Sequence, residues 1–146
     1  MALTGEFLAS DLTIEYQEGA AYYALTTYVN EDKFSRTVGE AETTAHGTTA
    51  RTFIPGLKEY EYSFTLMHNN QPPIADRPQT RLRLLLEDRL VRLWRVRPNG
   101  SGTGRPEITF EAFVTEMVDD LANDDQPVSS SVTLRITGPV TYSTQA

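Results

Sequence analysis

The sequence predicts a mainly β domain carrying one α-helix. Two observations support this. Apolar residues alternate with polar ones at period two in four separate stretches, as strands with one buried face require. Only residues 80–89 space their apolar side chains as a helix does. The 146 residues suit one domain of ordinary size, with no internal repeat and no linker-like stretch, so 1–146 is read as a single domain. A chain of this length can bury roughly 70% of its unfolded surface, enough for a core without staples.

The elements follow in order. Leu12, Ile14 and Tyr16 alternate with Asp11, Thr13, Glu15 and Gln17. Residues 22–29, rich in tyrosine and threonine, form a further expected strand. Residues 31–52 read as a long polar loop with Gly39, Gly47 and many threonines, and loops beyond about 12–15 residues are usually functional or disordered. Tyr60, Tyr62, Phe64 and Leu66 alternate with Glu59, Glu61, Ser63 and Thr65. In the helical stretch, Leu82, Leu85 and Leu86 share a face, with Asp76 placed as a cap and Pro78 as a first-turn proline. The strand at 90–96 carries apolar residues on both sides, Val91 and Leu93 against Leu90, Trp94 and Val96, and is expected to be buried on two faces. Residues 98–106, with Gly100, Gly102 and Gly104, read as a flexible hairpin tip. Ile108, Phe110, Ala112 and Val114, and then Val132, Leu134 and Ile136, give the last two alternating strands.

Composition narrows the function. With no cysteine, disulfides, thiolate metal sites and thiol catalysis are excluded. The start lacks a basic region followed by an apolar stretch, so no signal peptide is expected, and no apolar run approaches a membrane span. The net charge of −7 argues against a general nucleic-acid binder. Charge is unevenly spread: eight arginines fall between Arg77 and Arg105, against Glu87 and Asp88. One copy's acidic face could therefore meet another's basic face.

No constellation of catalytic residues emerges. A phosphate loop would need a helix after the glycines, where a strand is expected. The acidic cluster Asp119, Asp120, Asp124 and Asp125 lacks calcium-loop spacing and a glycine, so it reads as a solvated loop. His46 and His68 have no partner at metal-ligand spacing, and no Gly-x-Ser-x-Gly elbow is present, although a serine–histidine–aspartate triad stays open at this level. Arg89, Arg92, Arg95 and Arg97 could form a phosphate track, but in an acidic chain they read better as partners of acids on a neighbouring strand. No metal and no cofactor are expected. The profile suits an assembly subunit or a binding module better than an enzyme.

Phe34-Ser-Arg-Thr-Val-Gly-Glu-Ala-Glu-Thr-Thr44 and then Arg51-Thr-Phe-Ile-Pro-Gly-Leu-Lys-Glu-Tyr60 resemble the front half of phage major tail tube proteins, siphophage-like in length. There a loop rich in threonine and acids leads into a Pro-Gly-Leu turn and a strand. The back half is similar too: Phe113-Val-Thr115, an acidic spacer, then Val128-Ser-Ser-Ser-Val-Thr-Leu-Arg-Ile-Thr-Gly138, a strand running into a Thr-Gly turn. The resemblance covers roughly residues 34 to 142. It implies a β-sandwich or partial barrel with one α-helix, similar to type VI secretion tube proteins, joining into a continuous β-barrel tube on oligomerisation. It implies hexameric rings that stack into the tail tube of a virion, assembled in the host cytoplasm. The tube would hold the tape measure protein, meet tail terminator and tail tip proteins, and conduct DNA without binding it specifically.

Under that reading, Glu59, Glu61, Glu111 and Glu116, on or beside polar strand faces, are the expected lining of the channel. Arg36, Thr43, Thr44 and His46 from the long loop, with Asn99 and Ser101 from the hairpin tip, are the expected ring-to-ring contacts. The alternative is a monomeric β-sandwich module that binds carbohydrate or a host surface, with Trp94 and the seven tyrosines as a stacking platform.

Overall fold

The computed structural model describes residues 12–47, 49–121 and 128–146. In chain order the elements are β1 (Thr13–Glu18), β2 (Ala21–Ala24), β3 (Val29–Glu42), β4 (Phe53–Met67), α1 (Pro78–Glu87), β5 (Arg92–Arg97), β6 (Pro106–Asp120) and β7 (Ser129–Thr144). One turn of 3-10 helix at Ile74–Asp76 leads into α1. The strands form one antiparallel sheet in the order β2-β1-β5-β6-β7-β4-β3. The chain is thus mainly β with a helix, as its periodicity predicts.

Period-two alternation sorts the side chains onto two faces. Ile14 and Tyr16, Tyr62 to Leu66, Trp94 and Val96, Phe110 to Val114, and Val132 to Ile136 each send alternate side chains to the same buried face. The sheet curls around that face. β3 and β6 stand three places apart, about 14 Å in a flat sheet, yet the Phe34 and Phe110 rings lie 5.9 Å apart. β4 and β5 are equally distant in order, and Phe64 lies 6.3 Å from Trp94. The result is a partial barrel whose interior is the core. Helix α1 packs on β6 and β4 and adds Leu82 and Leu85 to it. Burial of each large apolar side chain stabilises by about 1.5–3 kcal/mol.

Several local expectations are corrected. Residues 31–42 are strand, so the long loop shrinks to 43–52, and β3 and β4 form an extended hairpin. Pro-Gly-Leu at 55–57 lies inside β4 rather than at a turn. Gly138, placed in a closing turn, lies inside β7, where its φ of +79° accompanies a register shift. The strand expected at 22–29 is broken: Tyr28 N–H donates to the Leu25 carbonyl at 2.9 Å, and Leu25 turns into the core. β5 encloses Trp94 and Val96 on one face and leaves Leu93, Arg95 and Arg97 half-buried on the other, while Val91, just before the strand, is exposed. Arg77, not Asp76, caps α1, with Pro78 in the first turn, and the Asp76 carboxylate instead accepts from Arg81 Nη2 at 2.7 Å. Asp119 and Asp120 belong to β6 rather than a loop, and Asp124 and Asp125 lie outside the described residues.

Strand direction sets the two ends of the molecule. The β3–β4 loop, the β5–β6 turn and the end of β7 share one end, where Gln145 bonds the backbone of Gly104 and Arg105. Helix α1, the β1–β2 turn and the adjoining ends of β6 and β7 occupy the other.

Candidate assembly surfaces

One of the two histidines does meet a serine and an acid. His68 and Asp119 meet at Ser130, whose Oγ lies 2.6 Å from His68 Nε2 and donates to Asp119 Oδ1 at 2.5 Å. A nucleophile needs the histidine between serine and acid, with the serine reachable. Here the serine stands in the middle and is fully buried. The cluster ties the ends of β4, β6 and β7 together, beside a cavity of about 290 Å³ lined by Gln79, Arg83 and Glu87. Among the described residues no group of acids and histidines could hold a metal ion.

Two of the four arginines in the series, Arg95 and Arg97, form ion pairs. On the outward face of β1, β5 and β6, Arg95 bonds Glu15 and lies 3.4 Å from Glu107, while Arg97 lies 3.2 Å from Glu107 and 3.9 Å from Glu15. Arg95 also stacks 3.8 Å over Tyr22. Arg95 and Arg97 thus pair with acids of neighbouring strands, whereas Arg92 keeps a buried Nε with no hydrogen-bond partner among the described residues. Trp94, fully enclosed, offers no stacking surface, which takes it out of the platform of the binding-module alternative, whereas Tyr22 and Tyr142 are exposed.

The four glutamates expected in the channel come together on one face. β3, β4, β7 and β6 are consecutive in the sheet, and their face away from the core is uncovered among the described residues. Glu59 and Glu61 on β4, and Glu111 and Glu116 on β6, all point that way, opposite Tyr62, Phe110 and Ala112. Between them β7 presents Ser131, Thr133, Arg135 and Thr137. Arg135 offsets part of the charge, at 3.4 Å from Glu59 and 4.0 Å from Glu61.

Five of the six expected ring-to-ring residues fall at one end. Thr43, Thr44 and His46 lie in the β3–β4 loop, where Thr43 and Thr52 bond through backbone and side chain. Asn99 and Ser101 lie in the β5–β6 turn, accepting from Arg105 and Arg97. Arg36 is not in a loop. It sits on β3 with its guanidinium 4.3 Å over Phe34 and its Nε donating to the Tyr142 hydroxyl at 2.7 Å.

Two features escaped the sequence reading. First, β4 pairs with β7 only up to Glu61 and Arg135, so the outer part of the β3–β4 hairpin leaves the sheet as a two-stranded arm. That arm exposes Val38, Phe53, Ile54 and Leu57, the last 86% exposed. The apolar run Phe53-Ile54 and Leu57 was a signal for it. Second, the four-stranded unit has two unpaired edges among the described residues. β3 has no neighbour beyond it, and β5 leaves β6 after the Arg92–Ala112 pair, so 113–120 is open on that side.

No protein-family profile matches the chain, and no curated protein matches it. Solved structures do. A chain of the virion of a native gene transfer agent particle superposes with a TM-score of 0.70 at 13% identity, covering 97% of this chain and 99% of that one. The tail tube of SPP1 matches with a TM-score of 0.73 at 12% identity over 96% of this chain and 80% of that one. A chain of the sheath–tube complex of an extracellular contractile injection system matches at 0.66 and 8% identity over 98% and 95%. At these identities the likeness is one of fold.

Proposed function

We propose that this chain is the tube subunit of a phage-like tail, a structural virion protein and not an enzyme. Copies join edge to edge into hexameric rings, and the rings stack into a tube that holds a tape measure protein and later conducts DNA. Terminator and tip proteins close its ends, and the subunits assemble in the host cytoplasm.

The observation that carries this reading is a four-stranded unit open at both edges, in a fold shared with a solved tail tube. Strand directions alternate across β6, β7, β4 and β3. Rotation about an axis along the strands keeps each direction, so β3 of one copy meets β6 of the next antiparallel. The alternation then continues around the ring, and closure removes the edges that would be a liability in a monomer. A wall of six such four-stranded units, at about 4.8 Å per strand, is about 37 Å across at the backbone, with room inside for a DNA duplex. The uncovered face of the unit, carrying Glu59, Glu61, Glu111 and Glu116 among serines and threonines, forms the lumen. A surface that repels phosphate lets DNA slide, the converse of phosphate-neutralising affinity. The loop and turn at one end, with Thr43, Thr44, His46, Asn99 and Ser101, reach the next ring, and Arg36 acts from the arm.

Electron microscopy of the purified protein at high concentration tests the reading. Rings or tubes are the expected outcome. A strict monomer in sedimentation, at every salt and protein concentration, overturns it.

A further inference from the structure

We propose that Lys33 and Glu116 set the register between neighbouring copies, as an ion pair across the seam where β3 of one copy meets β6 of the next. This rests on the tube reading and names the contact that would make its rings specific.

The sheet register supplies the geometry. Lys33 pairs with Ser63, Ser63 with Thr133, and Thr133 with Glu116. The four residues form one row across β3, β4, β7 and β6, all on the face away from the core. Lys33 stands at the open edge of β3 and Glu116 at the open part of β6. A seam that continues the row without offset sets one copy's Lys33 opposite the next copy's Glu116. Both side chains are exposed, and neither has an ion pair within the chain among the described residues.

Other registers lose this match. A shift of two residues sets Lys33 against Phe113 or Val118, both apolar. A shift toward Glu111 meets an edge already taken by Leu93 of β5. A shift the other way brings Lys33 to Asp120, the last residue of β6, and leaves most of the open edge unpaired. A bulge flanks the row on each edge, between Asn30 and Lys33 and between Val114 and Glu116, so sliding would set a bulge against a regular ladder. In the unshifted register Ser35 meets Phe113 and Asn30 meets Val118.

The test uses K33E and E116K, alone and mixed. Like-charge contacts across an interface are strongly disfavoured, so each variant alone should need roughly tenfold or more protein than wild type to form tubes. Mixed in equal amounts, the two can alternate around an even-numbered ring, and every seam again joins opposite charges. Tubes from the mixture near the wild-type concentration, with neither variant assembling there alone, support the pair and show that both variants fold. Single variants that assemble like wild type, or a mixture no better than its parts, overturn the pair while wild-type tubes leave the tube reading standing. Wild-type protein that forms no tubes overturns the tube reading and the pair with it.

Discussion

Tyr62 illustrates how a polar atom is tolerated in this core. Its ring packs between Phe64 and Phe110, while its hydroxyl donates to Asp32 Oδ2 at 2.5 Å. Burial raises its pKa, with the Asp32 hydrogen bond and charge acting in the same direction. Burial likewise pushes Tyr23 up to about 12 from 10.0. The folded chain therefore holds these phenolic protons more tightly than the unfolded chain does. Stability from this source is intact below pH 10 and is lost as pH rises through about 12. Denaturation midpoints measured from pH 9 upward should fall over that window, and a flat profile would contradict the burial of these rings. Trp94 is the other residue on which the core depends, lying 5.0 Å from Tyr16 and 6.3 Å from Phe64. Trp94→Ala should cost about 3–5 kcal/mol in chemical denaturation.

The β3–β4 arm is the element with the most unusual balance of forces. Beyond Glu61 its strands pair only with each other, and side-chain contacts from Arg36 to Tyr142 and from Glu59 to Arg135 tie its base to β7, so its stability depends on the ladder and a close backbone approach. A Cβ at Gly56 would lie 3.2 Å from the Gly39 carbonyl carbon and oxygen, both backbone atoms. Gly56→Ala should loosen the arm by about 1–3 kcal/mol locally, visible as faster amide exchange in residues 36–42 and 53–60 with the rest of the sheet unchanged. Pro55 is tolerated because no strand pairs with β4 on that side. Leu57 tests what the arm is for. It buries almost nothing in the single chain, so Leu57→Ser should shift stability by less than about 0.5 kcal/mol. If the arm docks on another copy, the same change should weaken tube formation, and unimpaired assembly would assign Leu57 no role in it.

For the whole molecule, the sum of charges matters more than any one pair. Arg95 and Arg97 are consumed by Glu15 and Glu107, whereas the four-stranded face keeps Glu111 without an ion pair among the described residues, and Glu116 is the carboxylate assigned to the seam. A ring repeats each carboxylate around its axis. Their field is screened only over about 8 Å at physiological salt. Particles carrying Glu61→Lys and Glu111→Lys should assemble and eject DNA more slowly, most clearly at low salt. Ejection at the unmodified rate in both high and low salt would show that this face does not line the channel.

The sequence by itself determined the strands with one buried face, the helix, the absence of thiol chemistry and the resemblance to tube proteins. Each of these is a local matter: alternation along Tyr60 to Leu66, or leucine spacing in α1, records which side of a short segment leaves water. β3 stayed hidden because its residues from Glu31 to Thr37 are mostly polar on both faces, so no alternation marks a strand. The candidate glutamates were nameable, but their gathering on one face depends on β4 and β6 flanking β7, and on which of them Arg135 reaches. The same holds for Ser130 joining His68 to Asp119, and for Lys33 sharing a row with Glu116. Only the tertiary structure decided these, because an edge, a row or a relay is defined by which distant segments pair, and long-range pairing leaves no period in the chain that makes it.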